Sequence, residues 1–175
     1  MKFEIAFDKD VYNKQMDLLF DLAWKRKKDY YKNTQYLGVV LMIIGVLLIF
    51  NRPNVFGAGY FFLFFGLSNL LPFVYYFFKI KNEYKKLGDA KIKEIEILND
   101  SMNSSFELSD DSLIITIQEK SKIINWNEFV TFVIKDESLI LITKDYMPYI
   151  LDEIEVGKEN FQKIISFVEK KIEIV

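Results

Sequence analysis

Hydrophobic and polar positions divide this chain into three regimes. The clearest lies in the middle. From Asn33 to Asn51, and again from Pro53 to Phe78, there is no acidic or basic side chain, and only Arg52 separates the two runs. About 20 apolar residues cross a bilayer as a helix. Two such runs joined at Asn51–Asn54 predict a transmembrane helical hairpin over residues 36–78. The first run is short. Its apolar heart, Tyr36–Phe50, reaches about 22 Å as a helix, against a hydrocarbon core of about 30 Å. Thr34, Gln35 and Asn51 must extend its edges, or the bilayer must thin. In the second run Pro72 is expected to kink the helix and free the Ser68 carbonyl. Asn69 can mark a ligand path, but the simpler expectation is that it faces the partner helix and bonds there.

Before the hairpin, Lys2–Phe7 alternates in the manner of a strand, with Phe3, Ile5 and Phe7 on one side. Asp8 or Asp10 can then cap a helix. Val11, Gln15, Leu18 and Leu22, flanked by Met16, Leu19 and Ala23, make an interrupted apolar stripe over Val11–Tyr31. After Phe78 the pattern stays helical and charged to Leu87, and Gly88-Asp89 is expected to end it.

From Ile92 onward the period changes to two. Ile95 and Ile97 open a series that continues through Phe106/Leu108, Leu113/Ile115/Ile117, Ile123/Ile124, Val130/Phe132/Ile134, Leu139/Leu141/Thr143 and Tyr149/Leu151. Turn residues lie between them at Asn99–Ser101, Ser109–Asp111, Lys135–Glu137 and Lys144-Asp145. Phe161, Ile164, Ile165, Val168 and Ile172 close the chain at helical spacing, with Gly157 at the helix start. The expected fold is therefore an α+β membrane protein. A transmembrane helical hairpin is joined to a C-terminal antiparallel β domain of the pleckstrin-homology-like (PH-like) kind, closed by one α-helix. The expected divisions are 1–35 (strand and amphipathic helix), 36–78 (hairpin), 79–91 (linker helix) and 92–175 (PH-like domain). The last is expected to fold alone, unless Lys2–Phe7 pairs with its sheet.

Charge adds an orientation. Lys25, Arg26, Lys27, Lys28 and Lys32 precede the first run, and Lys79, Lys81, Lys85 and Lys86 follow the second. Basic residues flank spans on the cytoplasmic side, which places both termini in the cytoplasm and the tip outside. The same lysines can serve an anionic-lipid or partner site; topology is the simpler reading. Trp24, Tyr30, Tyr31 and Tyr36 then fall near the headgroups. About 35 mostly polar residues come before the first run, unlike a signal peptide. The near-neutral net charge of −2 carries no nucleic-acid footprint.

Glycines add a packing pattern. Gly38 and Gly45 lie seven apart in the first span, and Gly59 and Gly66 seven apart in the second. Counted from the turn, Gly45 matches Gly59 in depth and Gly38 matches Gly66. Small residues let membrane helices approach closely. Glycine is also common in such helices without a packing role, so both readings stand.

Candidate chemistry is sparse. The chain has no Cys and no His, which excludes disulfides, thiolate chemistry, Cys/His zinc sites and histidine acid–base catalysis. Asp110-Asp111 reads as a turn, and Asp152–Glu155 as a solvated, helix-capping loop. There is no glycine-rich phosphate loop. Phe106 and Trp126 read as anchors of the β domain. No catalytic residues, metal ligands or cofactors are expected.

Ser105–Leu113 (SFELSDDSL) and Lys122–Phe129 (KIINWNEF) together resemble the YcxB-like family of bacterial two-span membrane proteins. The resemblance covers most of the chain, counting the hairpin. Pro148 fits the family's proline-bearing strand, but Tyr149, Ile150, Leu151 and Asp152 stand where that strand carries a basic pair. The resemblance implies a membrane location and a PH-like C-terminal domain, and no reaction. Two function classes follow. One is a membrane-tethered module that binds an unidentified protein partner or a lipid headgroup. The other is an immunity or self-protection protein acting against a toxin or peptide. Homo-oligomers are open in both.

Overall fold

Alternation at the chain start produces β1 (Lys2–Ile5). The Asp8 carboxylate then accepts the backbone N–H groups of Asp10 (2.7 Å) and Val11 (3.1 Å). That cap starts α1 (Lys9–Asn51), which joins the amphipathic stretch and the first apolar run in one 43-residue helix. In this computed structural model, residues 1–51, 56–99, 104–117 and 120–172 are described. Most of the expected turns at Asn51–Asn54 and Asn99–Ser101 lies outside them.

The second apolar run belongs to α2 (Phe56–Asn99), 44 residues long, which continues through Pro72 and Gly88. This corrects two expectations: the helix does not end at Gly88-Asp89, and Ile95 and Ile97 are helical, not extended. One interior glycine costs about 1 kcal/mol relative to alanine. Strong helix formers on both sides offset it, as do contacts of Lys91 and Glu94 with α1.

The chain divides into two compact units. One comprises Met1–Leu19 and Lys91–Val175; the other is Phe20–Ala90. In the first, β2 (Ser104–Leu108), β3 (Ser112–Ile117) and β4 (Lys120–Asn125) extend β1 into an antiparallel sheet of order β1-β2-β3-β4. β1 pairs with β2 in the register Phe3↔Phe106. The C-terminal part alone is therefore not the whole domain. A second antiparallel sheet contains β5 (Phe129–Lys135), β6 (Ser138–Thr143) and β7 (Pro148–Asp152) in that order. Asp136 and Glu137, both with positive φ (50° and 64°), make the tight turn between β5 and β6.

The core is built from alternate strand positions and one helix stripe. Phe106, Leu108, Leu113, Ile124, Leu139, Leu141 and Leu151 share a single cluster with Phe161, Ile164, Ile165 and Val168 of α4 (Lys158–Lys171). β6 is buried on both faces: Ile140, opposite in pleat to Leu139 and Leu141, is also inaccessible. β5 departs from simple alternation. A register shift between Phe129 and Thr131 leaves Val130 exposed between buried Phe129 and core-packed Phe132, and Ile134, next to the turn, is exposed as well.

The second unit is an antiparallel pair of helices, each long and apolar enough to cross a membrane. Only 11% and 6% of their most apolar windows are buried within the protein. A core helix of a soluble protein would have most of that surface covered.

Candidate functional site

In the second unit α1 and α2 meet through their glycines. Gly38, Gly45, Gly59 and Gly66 are all buried. A Cβ placed on Gly45 would lie 2.8 Å from the Gly59 carbonyl oxygen, and one on Gly66 would lie 2.8 Å from that of Gly38. Met42, Ile49, Leu63 and Leu70 also border this seam. Tyr31 packs against Phe73 with the rings tilted and their centroids 5.6 Å apart, one further seven-residue step from the glycines on each helix. Phe20 and Tyr84 meet edge-on at 5.2 Å. Contacts every seven residues are the spacing that keeps one seam facing a partner helix.

Asn69 does not bond across this seam as expected. Its amide donates to the Phe65 carbonyl of its own helix at 2.8 Å, and the Ser68 hydroxyl does the same to Phe64 at 2.9 Å. Back-bonding of this kind satisfies a polar side chain locally, without a partner helix.

The basic residues form a belt at one end of the unit. Lys25, Arg26, Lys27 and Lys81 are exposed. Lys27 lies over the Trp24 ring at 4.8 Å, and Lys28 pairs with Asp21. Lys79 lies over the Tyr75 ring and donates to its hydroxyl at 3.3 Å. Amphipathic lysines beside aromatic rings suit a boundary between apolar and aqueous surroundings.

In the first unit Phe106 and Trp126 both sit in the core. Trp126 occupies a single 3₁₀ turn between β4 and β5. Its indole N–H donates to the Ser109 carbonyl at 3.0 Å, and its ring packs on Phe129 and Phe167. The SDDS turn and the tryptophan are thus one structural device: Ser109 caps its own turn and also receives the indole.

A polar hub in the first unit was not foreseen. Asp152 is not in a solvated loop; it is 1% exposed. Its carboxylate accepts from Lys14 Nζ at 3.0 Å and from Ser138 Oγ at 3.1 Å. One turn on, α3 (Glu153–Val156) brings Glu155 beside it. Glu155 accepts the Asp152 backbone N–H at 2.6 Å and the Gln15 side-chain amide at 2.8 Å. Burial pushes the Glu155 carboxyl above its ordinary range, and the Asp152 and Asp8 charges add to that, against the two hydrogen bonds. Lys91 of α2 pairs with Asp17 at 2.6 Å and reaches the Asn13 carbonyl. Tyr12 donates to Glu94, and its hydroxyl is held well above the usual phenol range by burial first and Glu94 second. The start of α1 is thereby fastened to the end of α2 and to the β7–α3 corner. The available signal was Gln15, a polar residue inside an otherwise apolar stripe, which the structure buries.

Among the described residues no arrangement of nucleophile and base emerges. Among the described residues no three acidic side chains gather as a metal site. No family model, curated protein or solved structure matches this chain.

Proposed function

We propose that this is a multi-pass bacterial cell-membrane protein, with both termini cytoplasmic, that presents a PH-like domain to bind a protein partner or a lipid headgroup. It performs no reaction of its own. The observation that carries this reading is the composition of the first unit. Residues before the first apolar run and residues after the second build one domain, through β1–β2 pairing and the Lys14–Asp152 ion pair. This supports a topology in which the two flanks of the apolar pair share one side of the membrane, as an even number of crossings provides. The basic belt favours the cytoplasmic side. Among the described residues, seven strands in two antiparallel sheets, packed with one C-terminal helix around a shared core, support the PH-like reading.

The test is capture from native membranes with a tag on the C-terminal side. A fusion of residues 1–19 to 91–175 should retain what the full chain captures, and residues 20–90 alone should not. Retention by residues 20–90 alone would move the function into the helix pair and favour the immunity reading.

A further inference from the structure

We infer that the belt end of α2 is a seat for one anionic phospholipid, an inference that rests on the membrane reading of the second unit. A groove of 740 Å³ runs along one face of this helix. Its lining is zoned. Val74, Tyr75 and Phe78 form the apolar half; Lys79, Asn82, Lys85 and Lys86 form the polar half. Seven residues of helix place Lys79 and Lys86 about 10 Å apart along the axis, enough to cross a headgroup layer of about 5–8 Å beyond the hydrocarbon edge. The order from apolar to basic is that of a phospholipid read from acyl chain to phosphate.

Charge decides which lipid. Two carboxylates share the face. Glu83 pairs with Lys86 at 2.8 Å, and Asp89 lies at the groove's far end. Among the described residues Lys85 forms no ion pair. Lys79 is held by Tyr75 at the apolar–polar boundary, through both its ring and its hydroxyl. Lys85, Lys79 with its charge unpaired on the neutral Tyr75, and the Asn82 amide thus line one place for a phosphate, beside the apolar wall of Val74, Tyr75 and Phe78. A zwitterionic headgroup would bring its own ammonium into this cluster; the glycerol headgroup of phosphatidylglycerol would not.

The full chain placed in nanodiscs of mixed phosphatidylcholine and phosphatidylglycerol, and released for native mass spectrometry, reads out the lipids it retains. Phosphatidylglycerol should be enriched over its share of the disc. Lys79→Gln/Lys85→Gln should cut that enrichment at least about fivefold, the contribution of one lysine near an anionic surface. Lys25→Gln/Lys27→Gln, with the same loss of charge on α1, should cut it far less. Equal loss from both pairs would mean diffuse attraction to the belt and would overturn the seat. So would entry into the discs without enrichment. Failure of the parent chain to enter discs of phosphatidylcholine alone would overturn the membrane reading, and the seat with it.

Discussion

Lys14 and Asp152 are 138 residues apart in sequence and 3.0 Å apart in space. The carboxylate is almost wholly buried; the lysine is 45% exposed. A buried carboxylate is tolerated only where cations and hydrogen bonds replace its water. Here Lys14 supplies the cation and Ser138 the neutral donor.

Removing Lys14 should therefore leave an uncompensated charge. Lys14→Met is expected to destabilise the first unit by about 1–2 kcal/mol, less than the 3–5 kcal/mol of a fully buried pair because Lys14 is half in water. Lys14→Met/Asp152→Asn should recover most of that loss. Thermal melting of the three proteins in detergent checks this. Additive losses would show that the two side chains do not act as a pair.

The glycine seam makes a sharper steric prediction. A side chain at Gly45 meets the Gly59 carbonyl and Leu63, which cannot both yield. Gly45→Leu and Gly59→Leu should each destabilise the helix pair by at least about 1–3 kcal/mol. Suitable controls are Leu47→Val and Leu71→Val, both at exposed positions. Matching melting temperatures for glycine and control variants would remove the seam from the account.

Glu155 sets a pH dependence. Its carboxyl titrates higher in the folded protein than in the unfolded chain, so the folded state holds the proton more tightly. The resulting stability is present below the unfolded value, near 4.3, and is lost as pH rises through the folded one. Glu155→Gln should flatten that decline and still accept from Gln15 and the Asp152 backbone. Chemical denaturation across mildly acidic to neutral pH measures it; an unchanged slope in Glu155→Gln would assign the decline to another group.

Orientation can be read by labelling. With no native cysteine, single replacements report cleanly. Asn54→Cys should react with an impermeant maleimide on intact cells. Tyr146→Cys, at a position 84% exposed in the first unit, should react only after lysis. The reverse pattern would invert the topology.

Much of this arrangement is legible in residue order because it rests on local rules. Charge-free runs, glycines at matched depth, the serine-aspartate turn and the closing helix stripe each show within a short window. What escapes is non-local or depends on competition. Gly88 has the look of a helix end, yet formers on both sides outweigh one glycine. Ile95 and Ile97 alternate over too few residues to separate a strand from a helix face. Asp152 reads as solvated because its partner Lys14 lies at the other end of the chain. Ile140 and Ser138 are buried on a central strand whose two covered faces erase the alternation.

β1 carries a consequence for biosynthesis. Lys2–Ile5 has no partner until Ser104–Leu108 has been made. At ribosomal speeds of roughly 5–20 residues per second, that delay lasts about 5–20 s. Throughout it both apolar helices must be accommodated while the first strand stays unpaired. On the membrane reading proposed above, the domain's completion then serves as a checkpoint on the nascent chain: only a molecule whose two flanks have ended on the same side can join β1 to β2, and a chain inserted otherwise is left with an open strand edge, the feature through which such chains aggregate.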